Sequence, residues 1–450
     1  MVDEYIDRLS SILFNPLVFI ILVAGAFFII SKKNSIEARW GLLATLALFA
    51  SFAEFRNEFV DDPPDLVFPL EQFRKFGRPI CLLILAVFLG FILWTKVGVQ
   101  RIKDHLNIRN SLLIIQLLVF VKNLIAGDLV TAVLAFLTFF LIYFLFLRGV
   151  SGWLVNESMF KRSVQYFLFA VIAFNLMGLY QALFDFWPMI FQQNRYMGMT
   201  GNPQHAAVLL ASGVPLFLFT IIDNKQSHIR LILFMLFAWT IYYLILTGSR
   251  TGLLEAIISV VIFLVGYRAS SIKWVILFAI AIVFIRSWNI WQESQDLNKN
   301  IESYNTRETS RAQVFFRQMR NFSEYPLFGA PLRGERLRYE ENSYGAVAGS
   351  LGLAGVIPLI FMLRGLYVLM RKLWRISQSI REDRHYYLVV LSGLFSLLVG
   401  AFLEAYLLGN LTWPLIMLLT YVTWGYYLIN YGPHTKKEEV TTPRKLQYSA

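Results

Sequence analysis

Hydrophobic residues in this chain come in long blocks with little alternation. Apolar runs fall at 12–30, 38–55, 78–95, 111–126, 128–147, 163–184, 204–222, 230–247, 251–267, 272–286, 346–370, 386–408 and 411–430. About 20 apolar residues in a helix cross the hydrocarbon core of a bilayer, and runs this long and continuous are not barrel strands. The pattern predicts an all-α, polytopic integral membrane protein with about 12–13 transmembrane helices, because in lipid the backbone must satisfy itself within helices.

One stretch breaks the pattern. Residues 287–344 are polar and carry Lys299, Arg307, Arg311, Arg317, Arg320, Arg333, Arg336 and Arg338. The predicted organisation is therefore ten transmembrane helices over 1–287, a large helical loop over 288–344, three more transmembrane helices over 345–432 and a basic tail over 433–450. No tandem repeat or low-complexity tract interrupts it.

Composition sharpens this reading. Only 16% of the 450 residues are charged while 57% are hydrophobic, against about 25% charged in an ordinary soluble domain. The net charge of +12 would suggest nucleic acid in a soluble protein. Here Lys and Arg gather in alternate short loops, at 32–39, 96–109, 148–162, 225–230, 268–273, 371–384 and in the tail. That is the bias of cytoplasmic loops, so no nucleic-acid partner is expected. The rule puts the tail in the cytoplasm and the 288–344 loop outside. The start, MVDEYIDRLSS, is acidic and is not expected to be a cleaved signal peptide. The single cysteine, Cys81, excludes an intrachain disulfide, and the five histidines have no metal-ligand spacing, so neither a metal nor a cofactor is expected.

Candidate chemistry lies on the external side. The sequence TGSRTG, Thr247 to Gly252, makes a tight reversal between two spans. Arg250 stands there at the start of a helix, either to bind an anionic headgroup or to snorkel to lipid phosphate. Glu255 follows inside the membrane, as a functional carboxylate or as half of a structural ion pair. Within the insert, TSRAQVFFRQMRNFSEYP reads as a helix capped by Thr309 or Ser310 and ended by Pro326. Helical spacing puts Arg311 on one face with Val314, Phe315 and Phe322, and turns Arg317 and Arg320 toward water. An arginine on an apolar face wants an anionic partner, whether a ligand or a structural carboxylate. PLFGAPLRG is a turn-rich segment that shapes a loop over the site. Glu340 and Glu341 precede the next span, and a carboxylate at the mouth of an arginine-lined cavity suits a general base. Asn202 and His205 open the span at 204; Asn342 and Tyr344 open the one at 346. Lys122 and Glu404, also within spans, receive no role.

GNPQHAA opening one span, TGSRTG between two others, a large external loop with an early arginine, a P-x-x-G turn and ENSYxxxxxxLGLAG follow one another over 200–356. In this order they resemble the superfamily of O-antigen ligases and Wzy-type O-antigen polymerases. The resemblance implies a GT-C-like glycosyltransferase in a bacterial inner membrane, with its active site facing the periplasm. Such an enzyme takes glycan from undecaprenyl diphosphate and passes it to lipid A-core, as a ligase, or to the next repeat unit, as a polymerase. It implies that Arg250 and Arg311 hold the diphosphate without a metal. Ligases of the family usually show His-Asn where this chain has Glu341-Asn342, which favours the polymerase and leaves Glu341 as base. Asn202, His205, Arg307, Arg317, Asn342 and Tyr344 are then expected to bind substrate. The rival expectations are a flippase for the same lipid and a non-catalytic partner subunit.

Overall fold

A computed structural model describes residues 35–52, 64–94, 106–127, 129–191, 194–267, 301–331, 342–380, 382–406 and 411–433. Among them every regular element is helical. The principal helices are α1 (Ile36–Ser51), α2 (Leu70–Trp94), α3 (Ile108–Ile125), α4 (Leu129–Phe144), α5 (Glu157–Ala182) and α6 (Pro203–Asp223). They continue with α7 (Ser227–Leu246), α8 (Arg250–Tyr267), α9 (Ile301–Glu324), α10 (Ser343–Ser379), α11 (Arg384–Leu403) and α12 (Trp413–Tyr431). Helices thus occupy the predicted runs, except 12–30 and 272–286, which lie outside the described residues. Seven of them are long and apolar enough to cross a membrane: α3, α5, α6, α7, α8, α10 and α11. The chain is a multi-pass, all-helical membrane protein.

Helix α6 is the centre. It packs against α5, α7, α8 and α11, and its side chains are almost all buried. Helix α7 lies at the edge, with Leu231, Ile232, Phe234 and Met235 exposed to lipid. Lipid tails are as apolar as leucine, so close packing and hydrogen bonds hold such helices together. Small residues permit the approach. A Cβ at Gly252 of α8 would meet the Ala207 Cβ of α6 at 2.5 Å, and one at Gly266 would meet Leu388 of α11 at 2.2 Å. Polar side chains add cross-links: Trp413 Nε1 donates to Ser212 Oγ at 2.6 Å, and Asn175 Nδ2 to Thr240 Oγ1 at 2.7 Å.

The helix ends sort into two layers, as the alternating loops require. At the basic end, Lys161 of α5 pairs with Asp223 of α6 at 2.8 Å. His385 of α11 lies 3.2 Å from the same Asp223, and the Tyr386 hydroxyl donates to Glu157 at 2.5 Å. Helix α4 ends there in a π-turn over Leu145–Gly149, and Arg109 donates to its Phe146 carbonyl at 3.2 Å.

At the opposite end, Gln181 of α5 accepts from the Val67 amide at 2.9 Å. Glu71, at the start of α2, takes the Leu66 amide at 3.1 Å, Arg74 at 2.8 Å and Lys75 at 3.2 Å. Burial alone would raise the Glu71 carboxyl; the Leu66 amide, Arg74 and Lys75 outweigh it and hold it below the ordinary value. A folded-state pKa below the unfolded one gives stability that is present above the unfolded pKa, about 4.3 for Glu, and lost as pH falls through the folded value. Glu71→Gln should therefore melt at lower temperature than wild type at pH 7. The gap should close as pH falls through the acid range below about 4, followed by thermal unfolding in detergent.

Helix α10 is broken. Gly352 has φ 60° and ψ −154°, so α10 consists of two helices meeting at a kink. A break exposes amides and carbonyls that lipid cannot satisfy. The turn after α9 supplies the partners. The Leu353 amide donates to the Pro326 carbonyl at 2.8 Å, and the Ala354 amide to Leu327 at 3.0 Å. The Ala330 amide donates to the Gly349 carbonyl at 2.9 Å. Lys122 of α3 completes the junction. Its ammonium donates to the carbonyls of Phe328, Gly329, Ala330 and Ser350 at 2.7, 3.1, 2.6 and 2.5 Å. The first part of PLFGAPLRG, the segment expected to shape a loop over the site, fills the broken helix, and residues 332–334 lie outside the described residues.

Candidate functional site

The TGSRTG reversal is built from its own hydroxyls. Thr247 Oγ1 donates to the Leu244 carbonyl at 2.6 Å and accepts the Ser249 amide at 3.2 Å. Gly248 turns the chain with φ 58°, and Ser249 Oγ accepts the Gly252 amide at 3.2 Å, capping α8. Arg250 follows, exposed. Arg195, from the segment before α6, grips the turn by donating from Nε to the Thr247 carbonyl at 2.7 Å. Sequence reasoning passed over Arg195. Its only signal was a guanidinium in an otherwise uncharged stretch, NRYMGMTGNP.

The starts of α8 and α10 meet at the end of α11. Thr251 Oγ1 donates to Glu404 Oε1 at 3.2 Å. Ser343 Oγ donates to the Glu404 carbonyl at 2.8 Å, and the Tyr344 hydroxyl to the Leu398 carbonyl at 2.7 Å. Three of the predicted site residues, Arg250 on one side and Asn342 and Tyr344 on the other, therefore stand at or next to a residue bound to the end of α11. The start of α6, with Asn202 and His205, crosses α8 closely at Ala207 and Gly252.

One turn deeper, Glu255 is 1% exposed. It was expected to be either functional or half of an ion pair. Its partner is a phenol: the Tyr406 hydroxyl donates to Oε1 at 2.7 Å, and Oε2 has no hydrogen-bond partner among the described residues. Gly400 makes the room, since a Cβ there would fall 1.6 Å from Glu255 Oε1 and 2.1 Å from the Tyr406 hydroxyl. Among the described residues Glu255 is thus not half of an ion pair. The spacing of an isolated helix gave no hint of Tyr406, which lies 151 residues away.

Beside this cluster runs an apolar groove of about 450 Å³, bordered by Leu254, Tyr344, Leu398, Phe402 and Leu403 among others. Arg250 and the polar start of α10 stand at the level of the helix ends, and the groove offers nearly pure hydrocarbon surface next to them. That combination suits an amphiphile with a charged head and a long apolar chain.

The other predicted residues are placed as follows. Asn202 caps α6 by accepting the Gln204 amide at 2.8 Å, and Asn342 caps α10 by accepting the amides of Tyr344 and Gly345 at 2.9 and 3.2 Å. Each carbonyl oxygen is thus committed to a helix start, which leaves the amide nitrogen as the group to offer a ligand. His205 is exposed on the first turn of α6. Arg317 is exposed, as expected, and so is Arg320, which pairs with Glu324 at 2.7 Å. The side chains of Arg307 and Arg311 and the whole of Glu341 lie outside what the structure describes. The buried stripe of α9 is centred on Gln318, which packs on Gly345 and Gly349 of α10 and is 3% exposed. Val314 and Phe322 flank it, half-buried, as predicted. Phe315 does not: it is 49% exposed, because the stripe turns about 60° away from it. Position 311 falls two turns before Gln318 on the same stripe.

Among the described residues no group of three or more His, Cys, Asp or Glu side chains converges as a metal site would. No family model matches the chain, and no curated protein is similar enough to count as a relative.

Proposed function

We propose that this protein is a GT-C-like membrane glycosyltransferase of the O-antigen ligase and polymerase kind, working at the periplasmic face of a bacterial inner membrane. It extends or transfers glycan carried on undecaprenyl diphosphate, and the polymerase is the favoured form. The observation that carries the reading is the meeting of Thr251, next to Arg250, and Ser343, next to Tyr344, at Glu404 beside an open apolar groove. In this reading the polyprenyl chain lies along the hydrocarbon wall while Arg250 and Arg311 hold the diphosphate. The acceptor hydroxyl loses its proton to Glu341, and its oxygen attacks the anomeric carbon. The sugar–phosphate bond breaks, its electron pair goes to the phosphate oxygen, and the two guanidiniums stabilise the charge that develops there. Asn202, His205, Arg307, Arg317, Asn342 and Tyr344 orient the sugars.

The broken helix α10 is a feature shared with transporters, whose ligands bind at such breaks. Here the amides and carbonyls at the break are engaged by Lys122 and the 326–330 turn. That speaks for catalysis over a flippase.

The test is the surface glycan of a strain lacking the gene, complemented with wild type, Arg250→Ala or Arg311→Ala at equal protein level. Each variant is expected to lower transfer at least about 100-fold, since a lost charge-assisted contact to a developing oxyanion costs about 3 kcal/mol. Single repeats left on their acceptor identify a polymerase. Long polymer held on the carrier lipid with a bare acceptor identifies a ligase. Normal glycan from both variants sinks the assignment.

A further inference from the structure

Helix α9 has three sectors at 100° per residue. One sector, with Val314, Gln318 and Phe322, faces α10. The opposite side is polar and exposed, with Gln313, Arg317, Arg320 and Glu324. Between them lies an arc about 100° wide that holds Phe315, Phe316 and Met319, with Ser323 near its edge turning its hydroxyl back to the Met319 carbonyl. All three are exposed, Phe316 to 70%. A helix bathed in water has no reason to display two phenylalanines and a methionine on one face.

The height of this face is set by three attachments. The turn that follows α9 is held by Lys122, three residues from the end of the membrane helix α3. The first half of α10, on which Gln318 packs, is tied to α11 within its last two turns through Tyr344 and Leu398. It is tied just past the end of α11 through Ser343 and Glu404. Helix α9 is therefore held at the level where membrane helices end. The same turn carries Leu327 and Phe328, exposed to 61% and 67%. Beyond the break, the exposed face of α10 continues with Ile357, Ile360 and Phe361, on a helix long and apolar enough to cross the membrane. The apolar arc of α9, the 327–328 pair and the lipid-facing side of α10 are linked along one stretch of chain.

We infer that α9 is an interfacial helix, seated on the bilayer surface at the end opposite the basic loops. Phe315, Phe316 and Met319 enter the acyl–headgroup boundary, Arg320 lies at the border of that arc, level with the phosphates, and Arg317 faces water. The lipid surface is the occupant of this face. The polar insert is then clamped from two sides, by α10 and by lipid.

The experiment uses the full chain in nanodiscs of phosphatidylethanolamine and phosphatidylglycerol. The buried Cys81 is replaced by Ala, and an environment-sensitive fluorophore is attached in turn at Phe316→Cys, Met319→Cys and Gln313→Cys. Doxyl lipids quench from the membrane and iodide quenches from water. Labels at 316 and 319 should be quenched by doxyl lipid about threefold more than the label at 313, with iodide in the reverse order. Equal iodide access at 316 and 313 overturns the inference. Shielding from iodide at 316 without doxyl quenching also overturns it, because another protein surface then covers the face. Unchanged gel-filtration profiles of the labelled variants show that the fold survives labelling, and none of the three positions belongs to the proposed catalytic set.

Discussion

Gly329→Ala should lose most of its folded protein. Gly329 has φ 71°, and a Cβ there would lie 2.3 Å from the Ser350 carbonyl carbon and 2.4 Å from the Leu351 nitrogen. Both neighbours are backbone, so no rotamer relieves the overlap. The left-handed conformation itself costs an alanine about 1–2 kcal/mol, and forcing two chain segments apart adds about 1–3 kcal/mol. The amide bonds that seal the break in α10 go with them. Gly127→Ala is the control: φ is 84°, yet nothing lies within 4 Å of the added methyl. It should cost only the conformational part, about 1–2 kcal/mol. Unfolding midpoints in detergent, with the yield of monodisperse protein, compare the two. Equal losses from both would mean that the junction is not packed as described.

Lys122→Met is the second large effect. The substitution keeps most of the length of the side chain and removes the donor shared by four carbonyls. Leaving these partly buried acceptors unpaired should cost about 1–3 kcal/mol. Lys122→Arg should restore little, since a planar guanidinium cannot converge on acceptors grouped around one point. The readout that separates this from a general loss of stability is hydrogen exchange. The amides of Ala330, Leu353 and Ala354 should lose protection well before those of α6 and α11. Uniform loss of protection across the bundle would contradict a local latch.

The helices were legible because each apolar run is long and bounded by charge. The two ends were legible because Lys and Arg settle in alternate loops. The caps were not: Thr309 and Ser310, expected to open α9, lie inside a helix that already runs from Ile301, while Asn202 and Asn342, singled out as substrate ligands, cap α6 and α10. What stayed hidden had no local signature. Gly352 sits in LGLAG within an unbroken apolar run, so nothing polar marks the break. Lys122 looked like an orphan charge because its partners are carbonyls, and every residue has one. Glu255 finds Tyr406 only through tertiary packing. Phe315 was assigned to the buried face because a two-sided reading of α9 puts every apolar residue on one side, and the helix has three environments. At the candidate site, Arg250 and Tyr344 were found by residue type and position. The meeting of their neighbours Thr251 and Ser343 at Glu404 was not, since a carboxylate at the end of a span reads equally well as a stray interfacial charge.

The Lys122 latch also has a history in time. Its acceptors lie 206 to 228 residues further along the chain. When α3 leaves the ribosome and enters the membrane, none of them exists. The ammonium must wait among lipid headgroups, held there by its flexible stem, while α4 to α8 and the polar insert are made. Only when the last third of the chain arrives can the charge exchange phosphates for carbonyls. Closing the break in α10 therefore waits for a lysine to change partners, and a nascent chain stopped before residue 328 holds α3 in place with nothing to fasten.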